Sequence, residues 1–308
     1  MDRLGKSNRY LACNFRTYPS RGHIFIYMFH MPFFFMLSGF LYKKSGFAIE
    51  IKKTFKTLIL PYITYNALLI VGAIICGEFK IGILYHILLG NQEGIGIKYF
   101  NPLWFIVSLF VMRIFSSFIN EKKLIYVGII SIIIAITFYN YGCFSYDNDY
   151  FQFATTIICF PFFTFGNLIK NNKSMICLPK QNKLFYLIII LVVILILEGI
   201  GYFNGNVNIF RATNAGDSIV IFYVVGFLLS YLIIVLISYF FNKYNSVVTT
   251  ISKGTILILC THQFFIVQIN NLFPLNTITS VILSFVILSI SYGLIKLSYK
   301  YCPILIGK

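Results

Sequence analysis

A chain of 308 residues that is 58% hydrophobic and only 11% charged has too few polar side chains to coat a water-soluble particle of its size. Its formal charge of +16 would suit a nucleic-acid binder, but the basic residues fall in short gaps between apolar stretches, where they meet anionic lipid head groups. A soluble enzyme and a nucleic-acid-binding protein are both excluded.

Residues 1–23 form an atypical basic tail with Arg3, Lys6, Arg9, Arg16 and Arg21 against Asp2. No apolar run of about seven residues follows those charges, so the tail does not read as a signal peptide. Residues 24–308 read as one membrane domain. Windows of about 19 residues find nine runs long enough to cross roughly 30 Å of hydrocarbon, centred near Phe33, Ala67, Leu109, Ile132, Phe160, Ile194, Leu229, Leu259 and Leu283. A shorter run, Ile81 to Leu89, is about two turns of helix and reads as interfacial or re-entrant. The predicted fold class is all-α, a polytopic transmembrane helical bundle.

Lysines crowd every second gap. Lys43, Lys44, Lys52, Lys53 and Lys56 follow the first run; Lys122 and Lys123, Lys170 to Lys183, Lys243 and Lys253, and Lys296 to Lys308 lie on the same side. The other side holds Lys80, Lys98 and Arg211, offset by Glu78, Glu93, Asp147, Asp149 and Asp217. By the positive-inside rule the first side and the carboxyl terminus of this multi-pass protein are cytoplasmic. Nine crossings then place the basic tail outside, against the rule, so either that tail is translocated or a crossing that should precede Ile24 is missing. The second is the expectation adopted. Seven cysteines, odd in number and without a C-x-x-C pair, predict neither a disulfide framework nor a metal site. No internal repeat is visible.

Chemistry in such a protein falls to polar groups held where lipid penalises them. His30 sits beside Pro32, which lacks an N–H and crowds the carbonyl of Met28, so the helix should kink or open there. An imidazole so placed is a candidate acid or base; it could equally bond a neighbouring helix. Lys52, Lys53 and Lys56 begin the second run and could contact several phosphates of an anionic donor, although topology alone would also put lysines there. Trp104, the single tryptophan, lies at the outer end of a span, where an interfacial anchor is the default. Glu198 closes a long apolar run near the outer boundary and reads as either a functional acid or an interfacial residue. His262 is a second intramembrane imidazole. His86, in the short stretch, and His23, at the membrane edge, read as solvated.

Taken together the segments resemble the acyltransferase-3 membrane acyltransferases of bacteria, from about Tyr27 to the end. The most specific piece is Phe29-His30-Met31-Pro32-Phe33-Phe34-Phe35 with Leu37-Ser38-Gly39-Phe40. Leu60-Pro61-Tyr62, Leu103-Trp104-Phe105, Phe160-Pro161-Phe162-Phe163 with Phe165-Gly166-Asn167, and Ile251 to Thr255 with His262 follow in the family's order. The resemblance implies about ten helices, no bound cofactor or metal, acetyl-CoA or another acyl-CoA as co-substrate, and an envelope carbohydrate, such as a capsular or lipopolysaccharide sugar, as acceptor. It implies that Lys52, Lys53 and Lys56 meet the acyl-CoA, with lysine where arginine is commoner. His30, His262 and Glu198 would be catalytic candidates, and Trp104 and Ser38 would bind substrate. The family's first helix, which ends in a histidine regarded as the base, is not matched by residues 1–22. Two other readings stand beside this one: an envelope lipid or polysaccharide transporter or flippase, and an inactive truncated acyltransferase.

Overall fold

The computed structural model describes residues 21–143, 149–176, 183–204, 207–208, 214–240, 245–272 and 277–308. These are almost wholly helical: α1 Arg21–Leu41, α2 Phe47–Thr54, α3 Leu60–Ile75, α4 Gly82–Leu88, α5 Trp104–Phe118 and α6 Leu124–Asn140. Then come α7 Phe153–Asn171, α8 Lys183–Phe203, α9 Ile219–Phe240, α10 Ser246–Lys253, α11 Thr255–Leu272 and α12 Thr277–Tyr301. The departures among the described residues include short 3-10 turns, a π-helical turn at Phe55–Ile59 and one antiparallel pair, Val207–Asn208 with Asn214–Ala215 in the register Val207 to Ala215. An all-α bundle is the observed class, because a backbone in hydrocarbon must satisfy its own hydrogen bonds.

The nine apolar runs all become helices, but not nine equal spans. Five are long and apolar enough to cross a bilayer: Phe47–Ile75, Glu121–Asn140, Tyr150–Asn171, Ile219–Tyr239 and Ile282–Tyr301. Ser246–Lys253 and Thr255–Ile269, bent by 76°, make a sixth if they count as one broken span. Phe29–Leu41, Trp104–Phe118 and Phe185–Gly201 are shorter apolar helices. The Leu109 run is shortened because Pro102 sits in the 3-10 turn Lys98–Leu103, so regular helix begins only at Trp104.

The centre of the bundle is α1 against α7 and α9, with α6 closing over α7. Small residues set that approach. A Cβ built on Gly39 would lie 1.8 Å from the Phe163 carbonyl oxygen, and one on Gly166 would lie 1.8 Å from that of Met36. Two backbones are therefore in direct contact, the device membrane helices use where no hydrophobic force draws them together. α1 continues as helix through Pro32, contrary to the expected opening. The proline ring packs toward Gly226 of α9, 3.3 Å from where a Cβ would be. Aromatic rings fill the remaining space, among them Phe35, Phe162, Phe163 and Phe222, each fully buried.

The bundle has two polar ends. At one, Lys44 donates to the Ile119 carbonyl, Lys170 donates to the Tyr42 carbonyl at 2.6 Å and pairs with Glu121 at 3.3 Å, and Gly307 abuts the Thr57 carbonyl. The loops carrying Lys43, Lys56, Lys122 and Lys308 thus meet there, as the alternation of charge predicts. At the other end Asn204 bonds Ala215 and Ser218, and Tyr139 bonds Gly216.

Candidate active site

The lysine-rich end is built on an amphipathic turn. In α2 and the turn that follows it, Ala48, Ile49, Lys52, Lys53 and Lys56 share one face and line an open groove of about 450 Å³. The opposite face carries Glu50 and Thr54, both fully buried. Glu50 accepts from Arg113 Nε at 2.8 Å and Nη2 at 2.6 Å on α5, and from the Ser45 hydroxyl. A carboxylate taken from water is tolerable only with such pairing, so the ion pair fixes which way the helix rolls and turns the lysines outward. Phe55–Ile59 then winds as a π-helix before Pro61. In a regular helix that proline would press on the carbonyl of Thr57, and the wider turn relieves the clash.

The stretch Ile81 to Leu89 enters the bundle as α4. The Tyr62 hydroxyl on α3 donates to the Ile87 carbonyl at 2.7 Å and receives a bond from Gln92 Nε2. Tyr62 lies well within the long span, so this segment is re-entrant and not superficial. It is pinned from the other side by the turn before α7, where Phe151 N–H donates to the Leu89 carbonyl at 2.7 Å and Gln152 Nε2 to the Gly90 carbonyl at 2.9 Å. Gly90 faces Val107 of α5, 2.8 Å from where a Cβ would sit.

The sequence candidates distribute around this loop. Trp104 is buried at 5% exposure, its ring 6.1 Å from that of Phe35; it is a core residue and not an interfacial anchor, because the re-entrant loop covers the end of its helix. Tyr99, just upstream, stacks edge-on against Phe264 of α11 at 5.7 Å and donates to Glu78 at 2.8 Å. Burial raises the Tyr99 phenol well above its ordinary range, and the Glu78 carboxylate adds to that. His262, two residues before Phe264, is half-buried, and its Nδ1 lies 3.0 Å from the Ile258 carbonyl and 2.9 Å from that of Leu259. Carbonyls only accept, so Nδ1 carries the proton and Nε2 keeps its lone pair. Trp104 directly follows the 3-10 segment Lys98–Leu103 in the chain, and the helix that carries His262 packs against that same segment.

The others lie elsewhere. His30 is half-buried on α1, whose main partners are α7 and α9. The Ser38 hydroxyl donates to the Phe34 carbonyl of its own helix at 2.8 Å, and its neighbour Gly39 is the packing residue. Glu198 is half-buried on α8 and forms no salt bridge among the described residues. His86 is half-buried and not simply solvated: its Nδ1 is buried, with no hydrogen-bond partner among the described residues, against the bare backbone of Gly94. The side chain of His23 lies outside the described residues.

Sequence reasoning missed Glu50, Arg113, Asn66, Gln92 and Gln152. Arg113 had a visible signal, a guanidinium inside the Leu109 run that had to find a partner. Gln152 had none, since its role depends on left-handed backbone at Phe151 and Gln152, with φ of 53° and 55°. Among the described residues no group of three or more His, Cys, Asp or Glu side chains is placed to hold a metal ion.

A family model described as an acyltransferase domain, acyltransferase-3, matches residues 8–296. No curated protein and no solved structure matches the chain.

Proposed function

The chain belongs to the acyltransferase-3 family and is a multi-pass membrane acyltransferase, and from that premise we propose that it moves an acyl group, acetyl in the first instance, from acyl-CoA to a hydroxyl of a cell-envelope carbohydrate. The observation that carries the chemistry is the pinning of His262 Nδ1 by its own helix, which leaves Nε2 as a base on a helix packed against the 3-10 segment Lys98–Leu103. A sugar hydroxyl oxygen attacks the thioester carbonyl carbon while His262 Nε2 takes its proton. The tetrahedral oxyanion collapses, the C–S bond breaks, and the imidazolium returns the proton to the CoA thiolate as the ester forms. His30 is the second base candidate, and Lys52, Lys53 and Lys56 are the donor-side cations. Their outward roll over an open groove supports contact with the phosphates of acyl-CoA. The gathering of lysine loops at one end supports a cytoplasmic placement of that end and of the carboxyl terminus, in a bacterial inner membrane.

The test is transfer of radiolabel from acetyl-CoA by the protein in liposomes. Label should enter a carbohydrate and leave it on mild base treatment, and His262→Ala should slow that transfer by about a hundredfold or more. Unchanged transfer in His262→Ala with loss in His30→Ala would reassign the base to α1. Label that stays with CoA while glycolipid changes leaflet would replace the enzyme reading with transport.

A further inference from the structure

Resting on the carbohydrate reading above, we infer that the re-entrant loop from His86 to Gly94, with Asn66 beneath it and Gln152 beside it, is the subsite that binds the hydroxyl groups of the acceptor sugar. Four buried polar atoms there have no hydrogen-bond partner among the described residues: the amide oxygens Asn66 Oδ1, Gln92 Oε1 and Gln152 Oε1, and the imidazole nitrogen His86 Nδ1. The three amides are 2%, 1% and 2% exposed. An orphaned buried amide oxygen is costly, and membrane depth supplies no water by default, so a concentration of them around one loop requires a cause.

The direction of the amides is set by their other ends. Asn66 Nδ2 is committed to the Tyr62 carbonyl at 2.8 Å, Gln92 Nε2 to the Tyr62 hydroxyl, and Gln152 Nε2 to the Gly90 carbonyl at 2.9 Å. With each amide nitrogen already bonded on one side, its oxygen is turned to the other. Gln152 is held so at a backbone cost, since it and Phe151 both occupy the left-handed region, worth about 1–3 kcal/mol each. Gly94 belongs to the same device: a Cβ there would lie 2.2 Å from His86 Nδ1, so only glycine leaves the imidazole in place.

What such a set recognises follows from its polarity. The three orphaned amide oxygens repel phosphate and carboxylate oxygens and attract O–H donors. Without a carboxylate among the four groups, the cluster offers a metal cation no charge. Several neutral hydroxyls on one rigid frame, as in a pyranose, match three amide oxygens and an imidazole nitrogen, since a hydroxyl both donates and accepts.

The experiment uses the full-length protein in liposomes, radiolabelled acetyl-CoA, and methyl glycosides of glucose, galactose and mannose with their monodeoxy forms. Transfer to at least one glycoside is expected, with KM rising about threefold to tenfold when a contacted hydroxyl is removed. Asn66→Ala, Gln92→Ala and Gln152→Ala should each raise the glycoside KM by a similar factor. Each variant should also lose discrimination against one deoxy position, while hydrolysis of acetyl-CoA to water continues. Variants that transfer to glycosides and discriminate deoxy forms as the parent does would overturn the subsite and leave the carbohydrate reading intact. Should the variants fail to fold, the parent alone decides: a KM that is the same across every deoxy form overturns the subsite. Thermal stabilisation by sodium or potassium chloride, with none from any glycoside, overturns it as well. No transfer to any glycoside, with donor hydrolysis retained, overturns the carbohydrate reading itself.

Discussion

Replacing Gly166 by Ala tests the crossing on which the bundle rests. The new Cβ would lie 1.8 Å from the Met36 carbonyl oxygen, 2.7 Å from its carbon and 2.9 Å from the Phe40 nitrogen, against a floor near 3.0 Å for real contacts. All three neighbours are backbone, so no side chain can swing away, and α1 and α7 must part by about 1.2 Å, the difference between 3.0 and 1.8. A gap of 0.5–1 Å already forfeits roughly a quarter to a half of each dispersion contact across it, and overpacking of this kind costs about 1–3 kcal/mol. At about 2 °C per kcal/mol for a chain of this length, the midpoint should fall by about 2–6 °C. Gly39→Ala meets the Phe163 carbonyl at the same 1.8 Å and should behave alike. The double variant should cost less than the sum, because one separation relieves both contacts. Gly199→Ala is the control: nothing lies within 4 Å of its Cβ position, so helix propensity alone acts and raises stability by up to about 1 kcal/mol. A thiol-reactive dye is a suitable readout, since Cys76, Cys143 and Cys302 are exposed and label at once, while Cys159 and Cys260 are buried until the bundle opens. If Gly166→Ala melts with or above Gly199→Ala, the backbone contact between α1 and α7 is wrong.

Arg113→Ala leaves the fully buried Glu50 with the Ser45 hydroxyl as its remaining partner and should cost about 3–5 kcal/mol; Glu50→Gln with Arg113→Met should recover most of it, checked by the same melt. Lys53→Ala with Lys56→Ala should raise the acyl-CoA KM by about tenfold at low salt with little change in kcat, and the difference should shrink as salt is added; an unchanged KM would remove the donor from this face. Burial, with the Glu50 carboxylate nearby, pushes the Tyr42 phenol up to about 12. The folded protein therefore keeps a proton that the unfolded chain loses near 10, so stability is unaffected below that pH and falls as pH rises toward 12. Tyr42→Phe should lack that part of the alkaline loss. At neutral pH it should leave stability unchanged or raise it by up to about 1 kcal/mol, because the buried hydroxyl has no partner among the described residues.

The fold was legible because its main signals are local in sequence. Each apolar run is its own argument for a helix, and the alternation of lysine loops is a property of neighbouring gaps, so both survive without any knowledge of packing. Trp104 shows where that stops. Its position at a helix start is local, and an interfacial anchor follows from it, but its burial depends on a loop that turns back and on Phe35, about seventy residues away in the chain. The same holds for His86, which reads as solvated until Gly94 closes over it. The Ser38-Gly39 and Phe165-Gly166 motifs were visible as patterns, yet their meaning lies in two carbonyl oxygens on the opposite helix, which no spacing reveals.

Those two motifs also bear on how site residues should be chosen in such a chain. A motif recurs either because it touches substrate or because it lets two backbones meet, and the second cause accounts fully for Gly39 and Gly166 while leaving Ser38 bonded to its own helix. Structural satisfaction is thus a reason to demote a residue. By that measure the polar groups whose bonding is complete, Ser38 and the Glu50–Arg113 pair, hold the scaffold. Those left incomplete at depth, Asn66, Gln92, Gln152 and His86, are where a bound molecule lowers the free energy most. The lysine groove and the incomplete loop are linked through one continuous element. The span Phe47–Ile75 carries Lys52, Lys53 and Lys56 near one end and Tyr62 and Asn66 further in. From Lys56 to Tyr62 is six residues, or about 9 Å of helix. A thioester whose phosphates rest on the lysines can therefore reach a hydroxyl held by the loop without any large movement of the bundle, so donor and acceptor binding should be separable by mutation and coupled only at the reacting bond.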